Sequence, residues 1–468
     1  MTLATLTAGF IALWMLFSRE SGATAGCDSV LEGYQCQPEL SHAWGQYSPY
    51  FKVPSEISSD VPSHCHVAFA QVLSRHGARD PTMSKTLAYS QVIGKIKSKV
   101  RIFQGDFAFL ANYSYTLGAD QLTDFGKREL VNSGRAFFNR YEDLAKNTLP
   151  FVRASGQPRV IDSAQEFNKG FHREKTAGGT QDDEYPYSVT VISEADGSNN
   201  TLDHGLCTAF ETSNISSTAQ ATYASVFTPS ITARLNANLP NASLTLTDTI
   251  LIMDLCPFET VVSSSSNLSP FCALFTRAEW KQYDYYQTLG KYYGYGAGNP
   301  LGPTQGVGFV NELVARLTGK PVVDHTSVNR TLDTNPNTFP LGRSLYADFG
   351  HDNDMTAVFA ALGLYNSTLP LSTTHTMTVE EMHGYSAAWT VPFAARAYFE
   401  KLQCDGEEEE MVRVLVNERV LPLESCGGDT LGRCMLGRFV ESLGFAQAGG
   451  YWNQCFEESG ERGDVEVA

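Results

Sequence analysis

Apolar residues fall along this chain in two rhythms. Residues 67–73 (VAFAQVL) form a nearly continuous apolar run rich in β-branched and aromatic side chains, and Gly77 and Pro81 follow it. That combination predicts a buried strand ending in a turn. Residues 149–154 (LPFVRA), 188–192 (SVTVI) and 344–349 (SLYADF) repeat the pattern on a smaller scale. Between them the period lengthens. In residues 122–141 the positions Leu130, Val131, Gly134, Phe137, Phe138 and Tyr141 recur at helical spacing behind Thr123, an expected N-cap. Residues 83–100 predict another helix, and the turn 155–160 leads into a third. Alternating strand and helix predicts an α/β class with a mostly parallel central sheet.

The texture changes from residue 199 to about 321. Helical segments dominate there, at 247–255 (stopped by Pro257), 278–293 and 309–317, with a loop at 263–266. The stretch 291–303 is rich in glycine but has neither GxGxxG nor GxxxxGK spacing, so a rigid connector and a ligand loop are equally good readings of it. A strand then returns at 344–349, runs into Gly350-His351-Asp352-Asn353-Asp354, and opens a helix at 355–364. Residues 411–423 predict a strand pair around Asn417-Glu418, and the acidic run 407–410 predicts a solvated face. The expected organisation is a signal peptide (1–25), an α/β domain in two parts (26–200 and 322–468), and a smaller, mainly helical inserted domain (201–321). An N-terminal arm, 27–52, is expected to pack on the body through Trp44 and Tyr47.

Charge and cysteine usage narrow the function classes. The formal net charge of −17 over 468 residues argues against a nucleic-acid partner, which needs a basic footprint. Any anionic ligand must therefore be held by a local basic pocket. Residues 3–17 form an apolar run ahead of Ala23-Thr24-Ala25, as in a secretory signal peptide, and no later run is long enough to span a bilayer. The ten cysteines lack any CxxC pair, which favours disulfides over zinc. Sequons stand at Asn112, Asn199, Asn214, Asn241, Asn267, Asn329 and Asn366. Together these predict a secreted, extracellular glycoprotein with no membrane contact after signal removal.

The densest candidate chemistry follows the first strand, in Arg75-His76-Gly77-Ala78-Arg79. Two guanidiniums offer forked donors that match phosphoryl oxygens, and an imidazole between them is expected to stay neutral and nucleophilic in mild acid. Gly77 is expected to let a ligand approach the backbone. His351-Asp352 lies at a second strand end and helix start, where an anion is favoured, so the histidine can contact phosphate and the carboxyl can protonate a leaving group. A further arginine could come from Arg153 or Arg159. Position at the carboxyl edge of the sheet favours Arg159.

The motif Arg75-His76-Gly77-Ala78-Arg79-x-Pro81, with His351-Asp352 downstream, resembles the signature of the histidine acid phosphatases. Within that family the blocks WGQY, FAQVLSRHGAR, LGAD, KYYG, GAGNPLGPTQGVG, LYADF with HDN, WTVPFA and VRVLVN are similar, in order, to the fungal phytases. The resemblance implies a histidine-phosphatase-like fold and hydrolysis of myo-inositol hexakisphosphate through a phosphohistidine. It implies neither cofactor nor metal, a small-molecule substrate as the partner, and a monomer. His76 becomes the nucleophile and Asp352 the proton donor, with Arg75, Arg79, Arg159 and His351 on the phosphate. Gln46, Tyr47, Thr82, Lys85, Lys291 and Asn353 would line the substrate pocket. The implied disulfides are Cys27–Cys36, Cys65–Cys404, Cys207–Cys455, Cys256–Cys272 and Cys426–Cys434. Asp80 and Gly350 depart from the pattern without touching a reacting group. A broad-specificity acid phosphatase is the main rival, and an inositol-phosphate-binding protein without turnover is a second. A phosphoglycerate mutase is disfavoured by the signal segment, the sequons and the cysteines.

Overall fold

The computed structural model describes residues 27–176, 187–263, 267–368 and 370–456. The signal segment, the expected loop residues 264–266 and the tail from 457 lie outside these. The central strand, β1 (Cys65–Arg75), turns Ala70 and Val72 to one face of the sheet and Phe69 and Leu73 to the other. Both faces are covered, which explains why this segment shows no polar alternation. The further strands are β2 (Phe151–Ser155), β3 (Val189–Ile192), β4 (Leu345–Gly350), β5 (Arg396–Cys404), β6 (Met411–Val416), β7 (Arg419–Val420) and β8 (Arg433–Met435). Their spatial order is β8-β6-β5-β1-β4-β2-β3, with β7 on β6.

The class is α/β, as expected, and the sheet is mixed. β1, β4, β2 and β3 run parallel, whereas β5 to β8 pair antiparallel with their neighbours. The antiparallel pairs β5–β6 and β6–β7 follow from short connections, which a parallel pair cannot use. Asn417 and Glu418, both at positive φ (49° and 70°), form a two-residue hairpin turn between β6 and β7. β5 is the longest strand that the apolar pattern did not reveal. It carries Arg396 and Glu400 into the interior, where Glu400 is held by Arg140 and Arg413 at 2.8 Å each. Charges neutralised across strands hide a buried strand from a reading of hydrophobicity.

On one face, α2 (Asp124–Arg140) and α3 (Pro158–Lys175) pack Leu130, Phe137, Val160 and Phe167 on the sheet. Their backbones touch at glycines: a Cβ on Gly134 or Gly170 would stand 2.0 Å from a carbonyl oxygen of the other helix. Thr123 caps α2 as expected, accepting from the Gly126 amide at 3.0 Å. The other face carries α7 (Val307–Thr318) and α8 (Asp352–Ala361). A separate apolar cluster joins α1 (Met83–Lys99), α4 (Ile215–Asn238), α5 (Leu246–Val262) and α6 (Arg277–Gly294). The packing does not follow chain order, since α1 joins the helical cluster and α7 the sheet. α5 runs through Pro257 instead of stopping there. Residues 252–258 are all buried, and Cys256 is tied to Cys272, so tertiary packing offsets the hydrogen bond that proline forgoes. All five disulfides are formed in the pairs named above.

Candidate active site

Strand register builds the site. Arg75, the last residue of β1, pairs with Gly350, the last of β4. The residues after them are His76 and His351, whose rings stand 5.6 Å apart, edge to face. β2 and β3 end beside them in the pair Ser155 and Ile192. Just beyond those ends, Arg159 sits in the first turn of α3 and Glu194 follows β3. α8 begins at Asp352, three residues earlier than its apolar pattern implied, because His351 adopts the extended N-cap conformation (φ −116°, ψ 163°).

His76 is buried, and its Nδ1 lies 2.8 Å from the carbonyl oxygen of Gly77. A carbonyl only accepts, so Nδ1 carries the hydrogen and Nε2 keeps the lone pair. Burial, then Arg75, Arg159 and Arg79, holds the imidazole well below its ordinary value. Arg75 is fully buried; Nη1 donates to the carbonyls of Gln46 and, at 2.9 Å, Val391, while the guanidinium lies 4.6 Å over Phe393. Its Nε and Nη2, the Nε of Arg79 and the Nε of Arg159 are buried donors without hydrogen-bond acceptors. Such orphaned donors cost roughly 1–3 kcal/mol each. Their gathering around one imidazole makes a cradle for an oxyanion. Burial brings Arg75 and Arg159 down to about 10, so both guanidiniums stay charged in acid.

Asp352 lies 2.6 Å from Lys291 Nζ and 3.4 Å from Arg75 Nη2. Burial pushes its carboxyl up, but Arg75 and Lys291 outweigh that and hold it well below the usual range. Lys291, itself buried, also donates to Asn353 Oδ1 at 2.6 Å. Lys85 donates to the buried Asp254 at 2.9 Å, and Asp254 also accepts from Tyr89 and Tyr283. The Tyr47 ring lies 4.7 Å from that of Phe258, tilted by 50°, close enough to feel the charges of Lys85, Asp254, Arg79 and Asp352. Gln46 donates to Gln287 at 2.9 Å and leaves Oε1 unpartnered. Thr82 is the half-buried N-cap of α1, 3.3 Å from Ser84 Oγ. Arg153 is excluded from this group, being buried against Asp348 and Glu312 at 2.6 Å each.

Gly77 has a different task from the one expected. A Cβ there would lie 2.4 Å from the Gly126 carbonyl oxygen, so its smallness lets the loop seat on α2. The loop is braced further by Glu129, which accepts the amides of Ala78 at 2.8 Å and Tyr50 at 2.9 Å, and by Ser163, which accepts the Gly77 amide at 3.1 Å. Glu194 accepts from His351 Nε2 at 3.0 Å and from the Gln157 amide at 3.2 Å, tying two edges of the cradle together. None of Glu129, Ser163, Asp254 or Glu194 was singled out in the sequence. Only Glu194 left a signal there, its place just after a strand that ends at the same edge.

The model of the histidine phosphatase superfamily (branch 2) matches residues 66–417. The chain belongs to that family. Among curated relatives of this histidine phosphatase, Phytase A of Aspergillus oryzae is 55% identical over 92% of this chain and 94% of its own length. Phytase A of Aspergillus fumigatus is 52% identical over 97% and 100%. A crystal structure of the phytase from D. castellii superposes with a TM-score of 0.73 at 25% identity, covering 94% of this chain and 92% of the other.

Proposed function

We propose that this histidine phosphatase is a secreted, monomeric phytase that hydrolyses phosphomonoesters of myo-inositol hexakisphosphate through a phosphohistidine. The observation that carries the reading is the pairing of His76, with its Nε2 lone pair free, and three arginines, Arg75 and Arg79 buried and Arg159 half-buried, each with at least one buried donor that lacks an acceptor. Similarity to the phytases named above supports the substrate. His76 Nε2 attacks phosphorus, and Arg75, Arg79 and Arg159 neutralise the non-bridging oxygens as the bond to the leaving oxygen breaks. Resting Asp352 is ionised, so its proton must arrive with the substrate. A phosphomonoester loses its second proton near a pKa of about 6; in acid it enters as a monoanion and can pass that proton to Asp352. Asp352 then protonates the leaving alkoxide, and as carboxylate it takes a proton from the water that hydrolyses the phosphohistidine. His351 already gives Nε2 to Glu194, which leaves Nδ1 for phosphate. The helical segment 201–321 supplies Lys291 and Asp254 to the rim, consistent with a specificity-bearing insertion.

One observation favours a second reading. Both rim lysines are ion-paired, Lys85 to Asp254 at 2.9 Å and Lys291 to Asp352 at 2.6 Å, so the rim is less basic than its lysines alone imply. A broad-specificity acid phosphatase would have such a rim. The deciding measurement is kcat/KM for phytate against p-nitrophenyl phosphate on the purified protein, in acid and without added metal. A clear preference for phytate is expected; equal or reversed preference would favour the broad enzyme, and no turnover of either would leave only a binding protein.

A further inference from the structure

Beside His351, acidic groups gather more densely than the phosphate chemistry needs. Glu194, Asp203 and His351 each present one ligand atom, and these atoms all lie within 4.8 Å of one another. Tetrahedral zinc about 2.1 Å from each ligand sets the ligand atoms roughly 3.4 Å apart, so side-chain rotations that draw these atoms together would close the set. A second observation comes from Asp354. Its side chain is buried, its Oδ2 has no hydrogen-bond partner, and the charges acting on it are those of His204 first, then Asp203, Asp352 and Glu194. A buried carboxyl oxygen without a hydrogen-bond partner, close to further acidic groups, is one that a cation can satisfy. The other grouping of this kind among the described residues, His64 with Cys65 and Cys404, is not comparable, because its sulfurs are joined in a disulfide.

We propose that Glu194, Asp203 and His351 form a site for a divalent cation of zinc-like chemistry, and that an ion there strengthens the hold of the cradle on phosphate. One imidazole and two carboxylates are ligands that zinc accepts, with a fourth position left for water. The hydrogen now shared between His351 Nε2 and Glu194 gives way to the ion. A neutral ring bound through Nε2 carries its hydrogen on Nδ1, and so becomes a donor without being protonated. Double positive charge beside an anion cradle adds to the effect. By linkage, phosphate must strengthen zinc binding by the same factor.

The probe is zinc alone, titrated calorimetrically into the purified protein near neutral pH. Wild type is expected to take one ion per chain, and D203N, which keeps the shape of the side chain, to bind it at least about tenfold more weakly. Equal affinity in the two would overturn the site. Anomalous diffraction from zinc-soaked wild-type crystals reads the same question without a variant; a peak away from His351 would overturn it too. The coupling is read as the inhibition constant of inorganic phosphate against p-nitrophenyl phosphate hydrolysis, a substrate that does not chelate the ion. Micromolar zinc is expected to lower that constant at least about fivefold in wild type and to leave it unchanged in D203N. A constant that rises or stays put in wild type would overturn the coupling. The coupling rests on His351 contacting phosphate, whereas calorimetry does not, so the two failures are separable.

Discussion

At the scale of single residues, the site is governed by which groups lack partners. His76 spends Nδ1 on Gly77 and keeps Nε2 free, while Asp352 is held between Lys291 and Arg75. These two environments push an imidazole and a carboxyl in the same direction, both well below their ordinary values, and leave a neutral nucleophile beside an ionised acid. Asp352→Asn is expected to lower kcat for p-nitrophenyl phosphate by about 10²–10⁴-fold, the usual worth of a positioned proton donor. It removes the anion that lies against Arg75 and Lys291, so inorganic phosphate should inhibit the variant at least as strongly as wild type. Steady-state kinetics with phosphate as inhibitor checks both. Unchanged kcat would remove Asp352 from proton transfer.

At the scale of elements, the loop after β1 is held by α2. Gly77 and Gly126 let loop and helix touch, and Glu129 accepts an amide from the loop and another from the N-terminal arm. Burial pushes the Glu129 carboxyl up to about 7, against the pull of its two amide bonds. A folded value raised above the ordinary 4.5 means that its stabilisation is full below that pH and is lost as pH climbs through about 7. Glutamine at this position can accept only one of the two amides and turns an N–H toward the other. Glu129→Gln should therefore cost about 1–3 kcal/mol, lower kcat through the displaced loop, and remove this part of the pH dependence. Chemical denaturation at two pH values, with kcat measured on the same samples, tests it; a variant as stable and active as wild type would make the brace dispensable.

At the scale of the whole molecule, buried carboxyls set the pH range of the fold. Burial raises Glu129 and Asp284 to about 7, and it also raises Asp203, Asp333 and Asp354. Each holds a proton in the native state that the unfolded chain would release, so each loses its stabilising share as pH rises toward neutrality and beyond. The net charge of −17 adds self-repulsion in the same direction. Other groups oppose them in acid. Asp348, Asp352 and Glu400 are held low by their arginine and lysine partners despite burial, and their contribution is lost as pH falls through those lowered values. Buried neutral His76 costs progressively more below its ordinary 6.5. The melting temperature is expected to peak in mild acid and to fall by neutral to alkaline pH; calorimetry across about pH 3 to 8 checks it. A maximum above neutrality would contradict the raised values.

Periodicity and local chemistry determined most of the elements and both halves of the site. β1 with Arg75-His76, β4 with His351-Asp352, and the strand–turn–helix carrying Arg159 are each legible within about ten residues, because facing and capping depend on near neighbours. Tertiary structure decided everything that depends on which distant segment lies alongside. The register that sets Arg75 opposite Gly350 joins positions 275 apart (350 − 75), and no local pattern specifies that neighbour. The same long-range packing sends Arg153 to Asp348 and Glu312 instead of to the cradle, carries a helix through Pro257, and buries the charged strand β5. It also brings Glu194 to His351, where hydrogen bonding and charge, not sequence distance, set the partner.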